Sequence, residues 1–159
     1  MKLRVLGQLA FFSGLSVEEL QLLEPFFQPQ WFEQESTVFE QGAQAEYLYL
    51  VVKGEVVIRY KPEDGPVMVV SRVQPGGVFG WSAAVGNGAY TSGAVCTAGS
   101  DVLRVRGGDL RLICEQHPEV GRVILDRLAA VIAERKQSQK QMTSFLANGI
   151  RQQTCPEDK

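Results

Sequence analysis

The sequence predicts a mainly β fold with flanking helices: an eight-stranded antiparallel jelly roll (a double-stranded β-helix) and one long C-terminal helix. Three observations predict it. Between Gln28 and Arg106 the chain divides into short strand candidates separated by turn residues, with no helix between most of them. A parallel sheet needs long crossovers, which this segment lacks. After Arg106 the apolar period lengthens to steps of three and four.

Leu9 to Phe27 begins the fold. Ser16-Val-Glu-Glu19 is a capping box, with Leu15 and Leu20 in the staple positions, so a helix of about two turns should run to Glu24 and stop before Pro25. Its Val17, Leu20, Leu22 and Leu23 would pack on the strands that come after it. The strand candidates are Gln30 to Gln34, Thr37 to Glu40, Tyr47 to Lys53, Glu55 to Tyr60, Val67 to Val73, Gly77 to Phe79, Ser92 to Thr97 and Val102 to Arg106. Turn chemistry stands between them at Gln41-Gly42, Lys53-Gly54, Glu63-Asp-Gly-Pro66, Pro75-Gly-Gly77 and Ala98-Gly-Ser100. Asp109 to Gln116 reads as a short helix ended at His117-Pro118, where Pro118 can open the next helix. Glu119 to about Ala147 reads as one long helix. Its stripe Ile124, Leu128, Val131, Arg135, Ser138, Met142, Phe145 alternates steps of four and three, as a coiled-coil seam does. The expected organisation is residues 1–118 as the roll with its N-terminal helix, 119–148 as the long helix and 149–159 as a disordered tail.

Composition narrows the function classes. An apolar fraction of 45% is ample for a core, and a net charge of −2 with a pI near 5.5 lacks the basic footprint of a nucleic-acid binder. No apolar run reaches membrane-span length. Cys96, Cys114 and Cys155 are odd in number and form no CxxC pair, so a reduced cytoplasmic protein is expected. No metal-ligand cluster, Walker loop or GxGxxG is present.

The candidate functional stretch is Pro75 to Ser92, PGGVFGWSAAVGNGAYTS. Its glycines permit tight turns and close approach to a ligand, and the small residues after Gly80 suit one helical turn with outward N–H groups. From Val73 to Ser100 there is no Asp, Glu, Lys, Arg or His, so a compensating charge for any anion held here would come from elsewhere. Arg59, Arg72 and Arg135 are the candidates to supply it.

The order of parts resembles the cyclic nucleotide-binding domain, and within it the bacterial branch of the catabolite activator and the fumarate-nitrate regulators. The residues carrying the resemblance are Gly42, Gly54 and Gly77, the string Tyr47-Leu-Tyr-Leu-Val-Val-Lys-Gly-Glu-Val, the entry Val78-Phe79-Gly80, and Asp109 to Pro118. It spans roughly residues 9 to 147. The resemblance implies a non-catalytic, small-molecule-sensing regulatory domain whose occupant is a cyclic nucleotide or another small planar or anionic ligand. The ligand-binding residues it implies are Phe79, Gly80, Trp81, Ser82, Ala83, Tyr90, Thr91, Ser92, Ser71 and Arg135. It also implies a homodimer through Ile124, Leu128, Val131, Met142 and Phe145, with a hinge at His117-Pro118. Two departures stand out. In members that bind cyclic nucleotides, a Glu follows the Phe-Gly pair and takes the ribose hydroxyl; here that position is Trp81. The arginine that pairs with the cyclic phosphate falls at Tyr90.

Other readings remain open from the sequence. Trp81 and Tyr90 can wall a pocket for a planar ligand, or fill the cassette and leave a ligand-free interaction module. Thr91, Ser92 and Ser71 can be ligands or ordinary strand residues; Ser71 should share a face with Val67, Val69 and Val73. Gly80-Trp-Ser-Ala-Ala84 is one residue short of a hydrolase nucleophile elbow, with Asp101, Asp109 and His117 later in the chain in the matching order. The long helix can form a dimer seam or lie on its own roll. A dozen residues after it leave no room for a DNA-reading module, so a stand-alone sensor domain and a truncated transcription regulator both fit.

Overall fold

The computed structural model describes residues 2–86 and 88–135. Two four-stranded antiparallel sheets make the roll. The first has the order β1 (Gln28–Phe32), β8 (Ser100–Arg106), β3 (Tyr47–Lys53), β6 (Val78–Phe79). The second has the order β2 (Thr37–Phe39), β7 (Gly93–Cys96), β4 (Val56–Tyr60), β5 (Met68–Val73). The eight strands expected from the sequence are all found among the described residues.

Helices cover the outer face of the first sheet. They are α1 (Lys2–Gln8), α2 (Val17–Leu23), α3 (Gly107–Gln116) and α4, described over 118–135. The two faces of the first sheet therefore meet two apolar clusters. Leu48, Leu50, Leu103 and Val105 point to the helices, where they meet Leu6, Phe12, Leu23, Ile113 and Ile124. Tyr49, Val51, Val102 and Phe79 point inward to Val56, Val73, Ala94 and Cys96 of the second sheet. Burial on both faces explains why β3 reads as a nearly unbroken apolar run rather than as an alternation.

Local chemistry accounts for the boundaries. Both capping-box hydrogen bonds form: the Glu19 N–H donates to Ser16 Oγ at 3.1 Å and the Ser16 N–H to Glu19 Oε1 at 2.9 Å. Helix α2 ends at Leu23, and Pro25 sits in a 3-10 turn over Glu24–Phe26, which its fixed φ tolerates. Of the four apolar residues of this helix, Leu20 and Leu23 are buried while Val17, in its first turn, and Leu22 are exposed. Strand β1 begins at Gln28, two residues earlier than expected. Pro29 is accommodated there because β1 is a sheet edge, where a missing N–H breaks no ladder. Helix α1 is an addition to the expected elements; it contributes Leu6 to the helical cluster.

Two features correct the sequence expectations. In β5, Ile58 pairs with Ser71 but Arg59 pairs with Val69, so Val70 is the extra residue of a bulge. The bulge reverses the facing, leaving Val67 and Val69 exposed while Val73 is buried, so Ser71 does not share one face with all three. In α4, Ile124 and Leu128 are only 1% and 2% exposed and belong to the helical cluster of their own chain. Their apolar surface is covered by their own chain, which leaves little of it for the partner seam that the resemblance implies. Val131 is half-buried against the same cluster. Ser138, Met142, Phe145 and the segment 149–159 lie outside the described residues.

One polar knot ties the sheets together. Glu55, after the β3–β4 turn, accepts from Thr97 Oγ1 at 2.7 Å, from Arg72 Nη1 at 3.2 Å and from Gln74 Nε2 at 3.4 Å. The Thr97 hydrogen bond, with the Arg72 charge behind it, holds its carboxyl below the usual 4.5. A depressed carboxyl pKa stabilises the fold fully above the ordinary value and loses that contribution as pH falls through the depressed one. Glu55→Gln is therefore expected to be less stable than the parent at pH 7, with the gap narrowing as pH falls below 4.5. Urea denaturation of both proteins across that range measures it.

Candidate functional site

The glycine cassette begins after the turn at Pro75-Gly76 and enters through β6, where Tyr49 pairs with Phe79 and Leu50 with Val78. Gly80 then adopts φ 78°, ψ 30°, a left-handed conformation that side chains resist. A Cβ there would also stand 3.1 Å from the Tyr47 carbonyl oxygen and 3.2 Å from the Tyr49 ring. The backbone thus turns hard against β3 and passes into a 3-10 turn, Trp81–Ala83. Ser82 and Ala83 are buried because the start of α3 presses on them: a Cβ on Gly107 would collide with the Ala83 carbonyl oxygen. The single helical turn expected after Gly80 is present. Within that turn the Ala83 N–H donates to the Gly80 carbonyl oxygen at 3.4 Å.

Tyr90 points into the roll. Its ring stacks on Phe39 at a centroid distance of 3.6 Å and an interplanar angle of 10°. Its hydroxyl donates to the Tyr47 carbonyl at 2.6 Å and accepts from the Tyr47 N–H at 3.0 Å. Its backbone is clamped as well, since the Tyr90 N–H donates to the Ala43 carbonyl at 2.9 Å and the Gly42 N–H to the Tyr90 carbonyl at 2.8 Å. Phe39 continues the aromatic packing to Tyr49 at 5.9 Å and to Phe79 at 6.0 Å, and those two rings stack at 5.0 Å. Tyr90, Tyr49 and Phe79 are 5%, 4% and 0% exposed.

Among the described residues no charged side chain is fully buried, and apart from the tyrosine hydroxyls the buried polar side chains are Ser82 and Ser100. Half-buried Arg104 stands at the edge of the aromatic interior, with its guanidinium carbon 4.1 Å from the Tyr47 ring centroid. Arg72 is engaged by Glu55, and Arg59 is exposed. Arg135 reaches the cassette from α4, with its guanidinium carbon 4.8 Å from the Trp81 ring centroid. Thr91 is exposed, while Ser92 and Ser71 are half-buried, Ser71 opposite Ile58 on β5. The structure therefore brings Phe79 and Tyr90 into one aromatic interior, and Trp81 with Arg135 onto the helical side. It does not gather all ten predicted residues around one cavity. An open depression of about 620 Å³ lies at the start of α3, between Glu46, Arg106, Asp109 and Arg111, and of the predicted residues it includes Ala83.

Burial raises the Tyr90 hydroxyl to about 12, with the Tyr47 hydrogen bond acting in the opposite direction. A phenol whose folded pKa lies above the ordinary 10.0 stabilises the fold fully below pH 10 and loses that contribution as pH rises through about 12. Ultraviolet difference titration is expected to show a tyrosine that ionises only near pH 12, and Tyr90→Phe removes it.

The sequence did not disclose Phe39 as the partner of Tyr90. Strand β2 has its own register irregularity between Thr37 and Phe39, so period-two reading cannot assign its facing. The hydrolase-like order of Ser82, Asp109 and His117 has no structural counterpart. Gly80 to Ala84 leaves an antiparallel strand into a 3-10 turn, and a nucleophile elbow needs a parallel strand–turn–helix. Among the described residues no group of metal ligands occurs, and no helix is long and apolar enough to cross a membrane.

The two-sheet roll carries its glycine cassette between its sixth and seventh strands, and α4 returns to that cassette through Arg135. The cyclic nucleotide-binding domain model matches residues 29–117, and the chain belongs to that family. It is 31% identical over 113 residues to the cAMP-activated global transcriptional regulator CRP of Escherichia coli, covering 70% of this chain and 52% of that protein. The crystal structure of the Thermus thermophilus catabolite activator protein superposes with a TM-score of 0.72 at 26% identity, covering 86% of this chain and 62% of that one. A cyclic nucleotide-binding domain from Methylobacillus flagellatus shares the fold at a TM-score of 0.78 and 19% identity, covering 90% of this chain and 81% of that one. The chain spans about half the length of the curated relatives it matches.

Proposed function

We propose that this chain is a non-catalytic regulatory module of the cyclic nucleotide-binding family that works without the family's usual grip on a nucleotide phosphate. The observation that carries this reading is the Tyr90–Phe39 stack. At the position that the resemblance aligns with the phosphate-pairing arginine stands a phenol, with its ring packed at 3.6 Å and its hydroxyl committed to Tyr47. A charge-assisted bond to phosphate is roughly twice as strong as a neutral one. Its loss, with the ring stack that any ligand would have to displace, supports a closed interior over an open one. Of the two sequence readings, the ligand-free interaction module is therefore favoured over the small-molecule sensor. The output element is the helix beyond His117, and the homodimer implied for it would rest on residues beyond Leu128, since Ile124 and Leu128 are already covered. Isothermal titration calorimetry with cAMP, cGMP and a cyclic dinucleotide tests the reading. No heat from any of the three supports it, and submicromolar binding of one overturns it.

A further inference from the structure

Among the described residues, helix α4 meets the cassette through one cation–aromatic contact, Arg135 on Trp81. Ile124, Leu128, Val131 and Arg135 are spaced four, three and four apart, so they share one face of the helix. The first two are buried in the helical cluster, and Val131 and Ile132 pack against it from the side, as do Trp81 and Ala84 of the cassette. The same face thus delivers the Arg135 guanidinium to the Trp81 ring, 4.8 Å from its centroid. Among the described residues no carboxylate pairs with this guanidinium. Burial lowers it to about 10, which leaves it charged at neutral pH. A half-buried, partly desolvated cation is stabilised by the negative face of an indole more strongly than a fully exposed one is. Trp81 is itself well anchored, because it comes directly after Gly80, whose backbone is pressed against the Tyr47 carbonyl.

We propose that Trp81 and Arg135 form an intramolecular latch that ties the terminal helix to the glycine cassette, doing with the chain's own side chains what a bound ligand would otherwise do. The proposal rests on the closed-interior reading, because a latch that replaces a ligand matters only where no ligand bridges cassette and helix. It assigns the control of helix orientation to one cation–aromatic pair, and makes the helix end locally releasable without disturbing the roll.

Native-state hydrogen exchange of the full chain, with no nucleotide present, tests it. Amides of 128–135 are monitored in the parent, Trp81→Leu, Arg135→Gln and the double variant. Each single change is expected to speed exchange there about tenfold, as loss of a partly desolvated cation–π pair implies. The double variant should add little more, and amides of β3 and β8 should keep their protection. Unchanged exchange in Arg135→Gln, or effects that multiply in the double variant, overturns the latch. If Trp81→Leu fails to fold, Arg135→Gln against Arg135→Lys decides alone: lysine, still cationic, should restore part of the protection that glutamine loses, and equal exchange in the two overturns the latch. The two proposals fail separately. Nucleotide binding in calorimetry would refute the closed interior whatever the exchange shows, and an absence of coupling would refute the latch whatever the calorimeter shows.

Discussion

Tyr90→Ala is expected to lower the stability of the protein by about 3–5 kcal/mol, the range for truncating a fully packed aromatic side chain. Three losses combine. The ring leaves a void against Phe39, on which it stacks at 3.6 Å. The Tyr47 N–H and carbonyl lose their hydroxyl partner inside a part-buried strand end. The loop at Gly42 and Ala43, which pairs with the Tyr90 backbone, loses the side chain that fixes its distance from β3. Tyr90→Phe separates the first loss from the second: it keeps the stack and removes only the hydroxyl, at a cost of about 1–3 kcal/mol. Urea denaturation with an unchanged m-value would assign both losses to the native state. At about 2–4 °C per kcal/mol for a chain of this size, the alanine variant should melt roughly 10 °C lower. A loss below that of the phenylalanine variant would mean that the ring is not packed as described.

Gly54→Ala should be comparably damaging, for a different reason. Gly54 has φ 99° in the β3–β4 turn, a backbone conformation that disfavours side chains by roughly 1–2 kcal/mol. A Cβ would also meet the Ser100 hydroxyl, the Gly99 carbonyl oxygen at 2.6 Å and the Ser100 Cα at 2.8 Å. Overpacking against backbone costs about 1–3 kcal/mol more, because the neighbouring strand start must move. The displaced Ser100 hydroxyl accepts from the Glu55 N–H at 3.2 Å, so the polar knot loosens too. The expected total is about 2–5 kcal/mol. Gly42→Ala is the internal control. Gly42 has a similar φ of 87° but no atom within 4 Å of the added Cβ, so only the backbone share should appear there. Equal losses at the two sites would rule out a packing contribution at Gly54.

How much of the fold and the site was legible depends on what kind of signal each element carries. Tyr47 to Lys53 was bounded by its sequence because Gly54 must turn, and because both faces of the strand are covered. The capping box placed the start of α2 because its two hydrogen bonds are local. Bulges are not local. The extra residue at Val70 and the irregularity before Phe39 are set by neighbouring strands, so the facing of Ser71 and the stack on Tyr90 could not be read in advance. The long helix teaches a related lesson. Its apolar stripe was plain, but a stripe states only that a face is buried and not against what; at Ile124 and Leu128 the answer is the chain's own helical layer. The polar member of the stripe, Arg135, lies against Trp81. The uncharged, aromatic character of the cassette at Trp81 and Tyr90 was legible at once. The interior filled by Tyr90, Phe39, Tyr49 and Phe79 required the geometry.

The reading proposed above is that the roll is closed by its own aromatic residues, with Tyr90 stacked on Phe39. A crystal structure determined in millimolar cAMP tests it most directly, through the electron density between Gly80 and Thr91. The expected result is an unoccupied cassette, with the Tyr90 ring still flat on Phe39 and its hydroxyl on Tyr47. Density for a nucleotide in the roll, with Tyr90 turned away from Phe39, would contradict it.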